Sequence, residues 1–193
     1  MAVQAPAKAE EKLYRVALRE ALAEEMERDD TIYLIGEDIG KFGGAYRVTE
    51  GLLDRFGPQR VVDAPIAEEV IVGTAIGSAM LGLRPVVEMM TINFSLIAYD
   101  QIVNNAAKIR YMFGGEAKVP LVIRMPGGAG HQLSAQHSHS FEVLYGLIPG
   151  LLVVAPTTPE DAKGMLKAAI RDTPTIVMSD PVRRTAALPM GVV

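Results

Sequence analysis

The feature that most constrains this chain is an alternation of short β-branched or aromatic runs with segments of helical spacing. Residues 31–35, 60–63, 84–90, 119–124, 151–155 and 175–178 read as strands, several of them apolar throughout. Between them, residues 11–28 carry Tyr14, Leu18, Ala21 and Leu22 at i, i+4, i+7 and i+8, the spacing of an amphipathic helix. A short helix is expected near residues 49–56 and one rich in small side chains over 67–81. Residues 95–112 read as the longest helix, with Gly114-Gly115 as its C-cap. Thr158-Pro159-Glu160-Asp161 opens another, with an N-cap residue and a proline at N1. Strands without polar alternation must be covered on both faces. The expected fold is therefore α/β: a doubly wound, mostly parallel sheet with helices on both faces.

Ligands on such sheets sit beyond the carboxyl ends of the strands. That directs attention to four loops, residues 36–46, 63–69, 90–95 and 126–139. Residues 1–10, rich in Ala, read as a flexible solvated arm, 11–180 as the domain, and 181–193, with weak periodicity, as an extended tail.

Composition removes whole classes of chemistry. With no cysteine there is no disulfide scaffold, iron–sulfur centre, thiolate zinc site or cysteine nucleophile. A net charge of −4 without basic blocks argues against nucleic-acid binding. The longest apolar stretch, residues 70–83, is interrupted by Gly, Thr and Ser and falls short of the ~20 residues a membrane helix needs. A cytoplasmic protein that binds no membrane is expected.

Gly40-Lys41 sits in a glycine-rich loop, but Phe42 follows where a phosphate-binding loop requires Ser or Thr, so a structural turn or partner-contact loop is the better reading. His131, His137 and His139 have spacings of six and two, with no carboxylate in the run, which suits zinc poorly. A loop histidine beyond a strand end can act as a hydrogen-bond donor or proton shuttle, or can be exposed without a role. Glu68 and Glu69 fall in the first turn of a helix, where acidic side chains are ordinary because they face the positive end of the helix dipole. Gly73 and Gly77 lie four apart on the same helix, with small neighbours that admit either another backbone or close helix–sheet packing.

Taken together, Gly36-Glu37-Asp38, Gly43-Gly44-Ala45-Tyr46, Asp63-Ala64-Pro65-Ile66-Ala67-Glu68, Gly82-Leu83-Arg84-Pro85, Asp100-Gln101-Ile102-Val103-Asn104, Gln136-His137-Ser138 and Asp161-Ala162-Lys163-Gly164 form a specific set. From about residue 13 to 179 the chain resembles the pyrimidine-binding domain of the β subunit of thiamine-diphosphate-dependent 2-oxoacid dehydrogenases, the pyruvate dehydrogenase E1 family and its branched-chain relatives. The resemblance implies that the Glu68 carboxyl hydrogen-bonds N1′ of the cofactor's aminopyrimidine. A carboxyl donating there favours the imino tautomer, whose N4′ takes the thiazolium C2 proton. It also implies that Ile66, Met90 and Phe94 line the pyrimidine pocket, with Phe94 stacking near the ring. His137 would stand at the active-site mouth, contributing to decarboxylation or acyl transfer. Backbone carbonyls of Leu121, Ala169, Ile170 and Asp172 would correspond to the family's potassium site.

The family's diphosphate and Mg²⁺ motif, Gly-Asp-Gly followed by paired asparagines, does not occur in this sequence, and Asn104-Asn105 falls within a predicted helix. The resemblance therefore implies an E1 α subunit that completes the site, a heterotetramer, a lipoyl-bearing E2 acyltransferase as acceptor and a 2-oxoacid substrate, pyruvate first. Family β subunits carry a further α/β domain after this one, so the chain is expected to be a fragment, a split gene product or a short form. Acetoin dehydrogenase E1 and a split transketolase-like subunit are alternatives within the class. A non-catalytic assembly module, with homo-oligomers when alone, is the alternative outside it.

Overall fold

The apolar runs pair side by side, and every pairing in the central sheet is parallel. The computed structural model describes residues 11–130, 132–181 and 188–189. In chain order the strands are β1 (Glu11–Lys12), β2 (Ile32–Gly36), β3 (Val61–Asp63), β4 (Arg84–Glu88), β5 (Val122–Gly127), β6 (Leu151–Val154), β7 (Thr175–Pro181) and β8 (Leu188–Pro189). The six-stranded sheet runs β3-β2-β4-β5-β7-β6, and β1 pairs with β8 as a separate antiparallel ribbon. The helices are α1 (Tyr14–Arg28), α2 (Leu52–Phe56), α3 (Glu68–Met80), α4 (Ile109–Met112), α5 (Glu142–Gly146) and α6 (Pro159–Arg171). This is the expected doubly wound α/β architecture. Residues 1–10 and most of 181–193 lie outside the described residues; within the expected tail, residues 188–189 form β8.

Successive strand residues point to opposite faces, so each strand feeds two cores. Leu34, Val86, Val122 and Ile176 bury against Leu18, Leu22 and Met26 of α1 and Leu166 and Ile170 of α6. Ile35, Val87, Ile123 and Val177 bury on the other face against Ile71, Val72, Ala75 and Ile76 of α3, with Ile102 and Tyr145. Outside the core, α1 and α6 are laced by ion pairs. Lys163 reaches Glu20 at 2.9 Å and Glu24 at 2.7 Å, and Arg171 reaches the buried Glu25 at 2.6 Å. Thr158 caps α6 as its sequence implies, its hydroxyl oxygen accepting from the Asp161 N–H at 3.0 Å, with Pro159 behind it.

One expected element is corrected. Residues 95–112 do not form the longest helix; α1, at fifteen residues, is longer. The segment breaks into a 3₁₀ turn (Ile92–Leu96), a π turn (Gln101–Ala106) and the four-residue α4. The Thr91 oxygen accepts from the Asn93 N–H and caps the 3₁₀ turn, while Ala107 N–H reaches back five residues to the Ile102 carbonyl. The wider π turn sets Gln101 beside Gly73 of α3, and Asp100–Asn104, Gln101–Asn105 and Asn104–Lys108 hydrogen bonds fasten its outer side. Asn104-Asn105 therefore lies in π backbone, not in α-helix. The Gly114-Gly115 stop stands, both residues at positive φ and Gly115 N–H bonding to the Arg110 carbonyl.

Candidate active site

Strand β2 has β3 on one side and β4 on the other, so the chain leaves their carboxyl ends in opposite directions and opens a crevice between them. All four loops expected to matter leave strands at this end, those after β2, β3, β4 and β5, and the one after β3 delivers Glu68 at the head of α3. Glu68 is 4% exposed whereas Glu69 is exposed. The sequence signal that separates them is helix phase: Glu68 precedes Ile71, Val72, Ala75, Ile76 and Ala79, all buried, at i+3, i+4, i+7, i+8 and i+11. A carboxyl in phase with an apolar stripe is carried inward with it. No hydrogen bond or ion pair from a described residue reaches this carboxyl.

A second buried acid lies within electrostatic range of it. Glu37, the residue after β2, is buried, and its carboxyl is held above the usual range by burial first, then by the charges of Glu68 and Asp38. The Glu37 carboxyl therefore holds its proton more firmly than a solvated carboxyl would. The loop carrying Glu37 is rigid by construction. Gly40 N–H donates to Asp63 Oδ1 at 2.6 Å and Thr49 Oγ1 donates to the Ile39 carbonyl at 2.7 Å. Gly44, at φ 80°, lies so close to Glu88 that a Cβ would stand 2.6 Å from its Oε1, so a side chain there would strain the backbone and push the Glu88 carboxylate aside. The glycine-rich stretch is thus held by internal hydrogen bonds as a turn.

Met90 and Phe94, which follow β4, are half-buried, and Ile66 is 82% exposed. His137 ends the 3₁₀ turn Ala135–His137 and meets the Phe94 ring edge-on, centroids 5.4 Å apart at 83°. Glu68, Met90, Phe94 and His137 thus come from three loops at one end of the sheet. His131 lies outside the described residues. Among the described residues no group of three or more His, Asp or Glu side chains is arranged to hold a metal ion.

The carbonyls matched to a potassium site belong to the opposite, amino end of the sheet. Leu121 O accepts from Ile176 N–H at 2.8 Å, Ala169 O from Asp172 N–H at 3.3 Å, and Ile170 O from Arg84 Nε at 2.8 Å; Asp172 O accepts from Arg84 Nη2. A guanidinium already sits against two of the four. A cavity of about 570 Å³ opens at this same end, lined by Ala107, Arg110, Tyr111, Leu152 and Pro174, far from Glu68.

Sequence reasoning did not single out Glu37 as a partner of Glu68, although a carboxyl one residue past a strand end in this crevice is a recognisable signal. It also left His139 open between a hydrogen-bonding or proton-shuttling histidine and one without a role, and gave no role to Asn93 or the buried Glu88–Arg124–Asp180 group. The last joins three strands through long-range pairing that no local pattern carries.

Comparison with known proteins follows the same lines. The family model for "Transketolase, pyrimidine binding domain" matches residues 10–180. The chain is 51% identical over 169 residues to "Pyruvate dehydrogenase E1 component subunit beta" of Rickettsia felis, covering 87% of this chain and 52% of that protein. It is 53% identical over 163 residues to the mitochondrial protein of the same description from Saccharomyces cerevisiae, covering 84% and 44%. A solved structure titled "Split gene transketolase, inactive beta4 tetramer" superposes with a TM-score of 0.71 at 18% identity, covering 92% of this chain and 54% of that one, a likeness of fold. The chain spans about half the length of the curated relatives it matches. With the sheet order, the buried glutamate heading α3 and a family match across nearly every described residue, the chain belongs to the transketolase pyrimidine-binding-domain family.

Proposed function

We propose that this chain is the pyrimidine-binding part of a β-type subunit in the E1 component of a thiamine-diphosphate-dependent 2-oxoacid dehydrogenase, acting on pyruvate. The observation that carries the reading is Glu68, buried at the head of α3 and unpartnered among the described residues, with the buried Glu37 within electrostatic range of it. These residues fit the pyrimidine end of the cofactor: a carboxyl able to hold a proton at N1′, half-buried Met90 and Phe94 at the same end of the sheet, and Ile66 exposed to meet what closes the cleft. They do not fit the anionic end, since the sequence has no Gly-Asp-Gly motif. An E1 α subunit would therefore hold the diphosphate and Mg²⁺. Similarity to proteins described as pyruvate dehydrogenase E1 subunit beta supports the same reading.

When bound, thiamine diphosphate supplies the nucleophilic carbon that adds to the 2-oxoacid carbonyl and takes up the electrons released on decarboxylation. Glu68 holds the proton at N1′. Phe94 sets the His137 ring over the entrance, where the imidazole moves a proton during acyl transfer to the lipoyl group of an E2 acyltransferase. Potassium at the amino-end carbonyls would share Ile170 and Asp172 with Arg84, and we assign it no part in the reaction. A heterotetramer with the α subunit and a cytoplasmic location belong to the same proposal.

Glu68→Gln tests it. In the complex reconstituted with its partner, 2-oxoacid decarboxylation is expected to fall by at least ~10²-fold, with the circular dichroism spectrum and melting temperature preserved. Near-full activity in that variant would overturn the assignment. A stable homo-oligomer that binds no thiamine diphosphate with any partner would favour the assembly module.

A further inference from the structure

His139 lies two residues beyond His137 and is tied down more firmly than an exposed loop side chain requires. Its ring stacks on Phe141, centroids 4.6 Å apart and planes within 15°, and its carbonyl accepts from Gly128 N–H at 2.8 Å. Its Nδ1 meets Asn93 Nδ2 in a hydrogen bond. The direction of that bond follows from the groups around Asn93, which is buried. Thr91 Oγ1 accepts from Asn93 N–H at 3.0 Å and donates to Asn93 Oδ1 at 2.7 Å, so the amide turns its NH₂ toward His139. An amide nitrogen donates only, so Nδ1 must offer a lone pair, and the proton of the neutral ring then sits on Nε2. Asn93 immediately precedes Phe94, the ring against which His137 rests. The Thr91–Asn93–His139–Phe141 chain therefore clamps the turn that carries His137 to the segment that carries Phe94.

We propose that His139 is a positioning residue: its Nε2-protonated ring, held between Asn93 and Phe141, fixes where His137 stands over Phe94. This rests on the reading above, in which His137 serves the entrance of the site. The first test is independent of activity. In ¹⁵N-histidine spectra of the full chain at about pH 8, where imidazoles are mostly neutral, His139 is expected to show an unprotonated Nδ1 and a protonated Nε2. His137→Gln and His139→Gln provide the assignments. Asn93→Asp, which replaces the donor by an acceptor, is expected to move the proton to Nδ1. A protonated Nδ1 in the unaltered chain, or no change in Asn93→Asp, overturns the proposal.

The second test uses the complex with its partner subunit. His139→Ala is expected to lower kcat about tenfold with KM for the 2-oxoacid little changed, since a displaced catalytic group costs rate more than binding. His139→Gln, whose amide oxygen can accept from Asn93, is expected to recover most of that loss. Equal kcat in all three proteins overturns the positioning role. If instead the complex has no thiamine-dependent activity in any form, the functional reading fails, and the nitrogen spectra still decide the tautomer.

Discussion

Arg124 is wholly buried between two acids on neighbouring strands. Its Nη1 hydrogen-bonds Asp180 Oδ2, and its Nη2 lies 2.7 Å from Glu88 Oε2 as an ion pair outside hydrogen-bond alignment, while Nε and Asp180 Oδ1 have no hydrogen-bond partner among the described residues. Burial opposes the charge on Arg124, but the two carboxylates outweigh it and keep the guanidinium protonated. Burial pushes the Asp180 carboxyl up, against the pull of Arg124. Arg124→Met removes the only positive member and leaves two acids facing each other out of water, so a loss of roughly 3–5 kcal/mol in urea unfolding is expected. Asp180→Asn keeps a hydrogen-bonding side chain and deletes one buried charge, and is expected to be milder. Because the Asp180 carboxyl titrates higher folded than unfolded, its ionisation costs stability as pH rises through the raised value. The stability of Asp180→Asn relative to the unaltered protein should therefore improve between acid and neutral pH. A difference that is flat with pH would show that the carboxyl is already ionised at acid pH.

Where α1 meets α6, the acids behave in the opposite sense. Burial works to raise Glu25, but hydrogen bonds from Arg171 and Arg28 outweigh it and hold its carboxyl below the ordinary 4.5, and lysine partners do the same for Glu20 and Glu24. Their contribution is complete above the unfolded carboxylate range and disappears as pH falls through the lowered values. Thermal melts should show stability dropping below about pH 4.5, with Glu25→Gln dropping less steeply and sitting about 1–2 kcal/mol lower at neutral pH. At this scale α1, α3 and α6 were legible from spacing and caps, since Thr158 and Pro159 mark a start whatever surrounds them. The segment 92–112 was not, because apolar spacing does not report which carbonyl each N–H takes, and the fit of Gln101 beside Gly73 of α3 settles that question. Glu68 was legible as a candidate through motif resemblance, and its burial through helix phase. Glu37 became its neighbour only through the parallel pairing of β2 with β3.

Across the whole molecule, α3 and its two ends present Val70 at 62%, Ile66 just before it at 82% and Leu81 just after it at 88% exposure, with nothing among the described residues within 4 Å of a Cβ placed on Gly77. On the proposed reading, the α subunit covers this surface next to Glu68. Val70→Glu should leave the melting temperature of the isolated chain nearly unchanged and abolish co-sedimentation with the partner; undiminished co-sedimentation would place the contact elsewhere. The two outermost strands of the six-stranded sheet, β3 and β6, are also its shortest, at three and four residues. They offer few open amide groups for a neighbouring molecule to extend the ladder. Growth by β-augmentation is therefore disfavoured at both rims, and association is steered onto the helical flanks, where it can end in a closed assembly instead of a fibre.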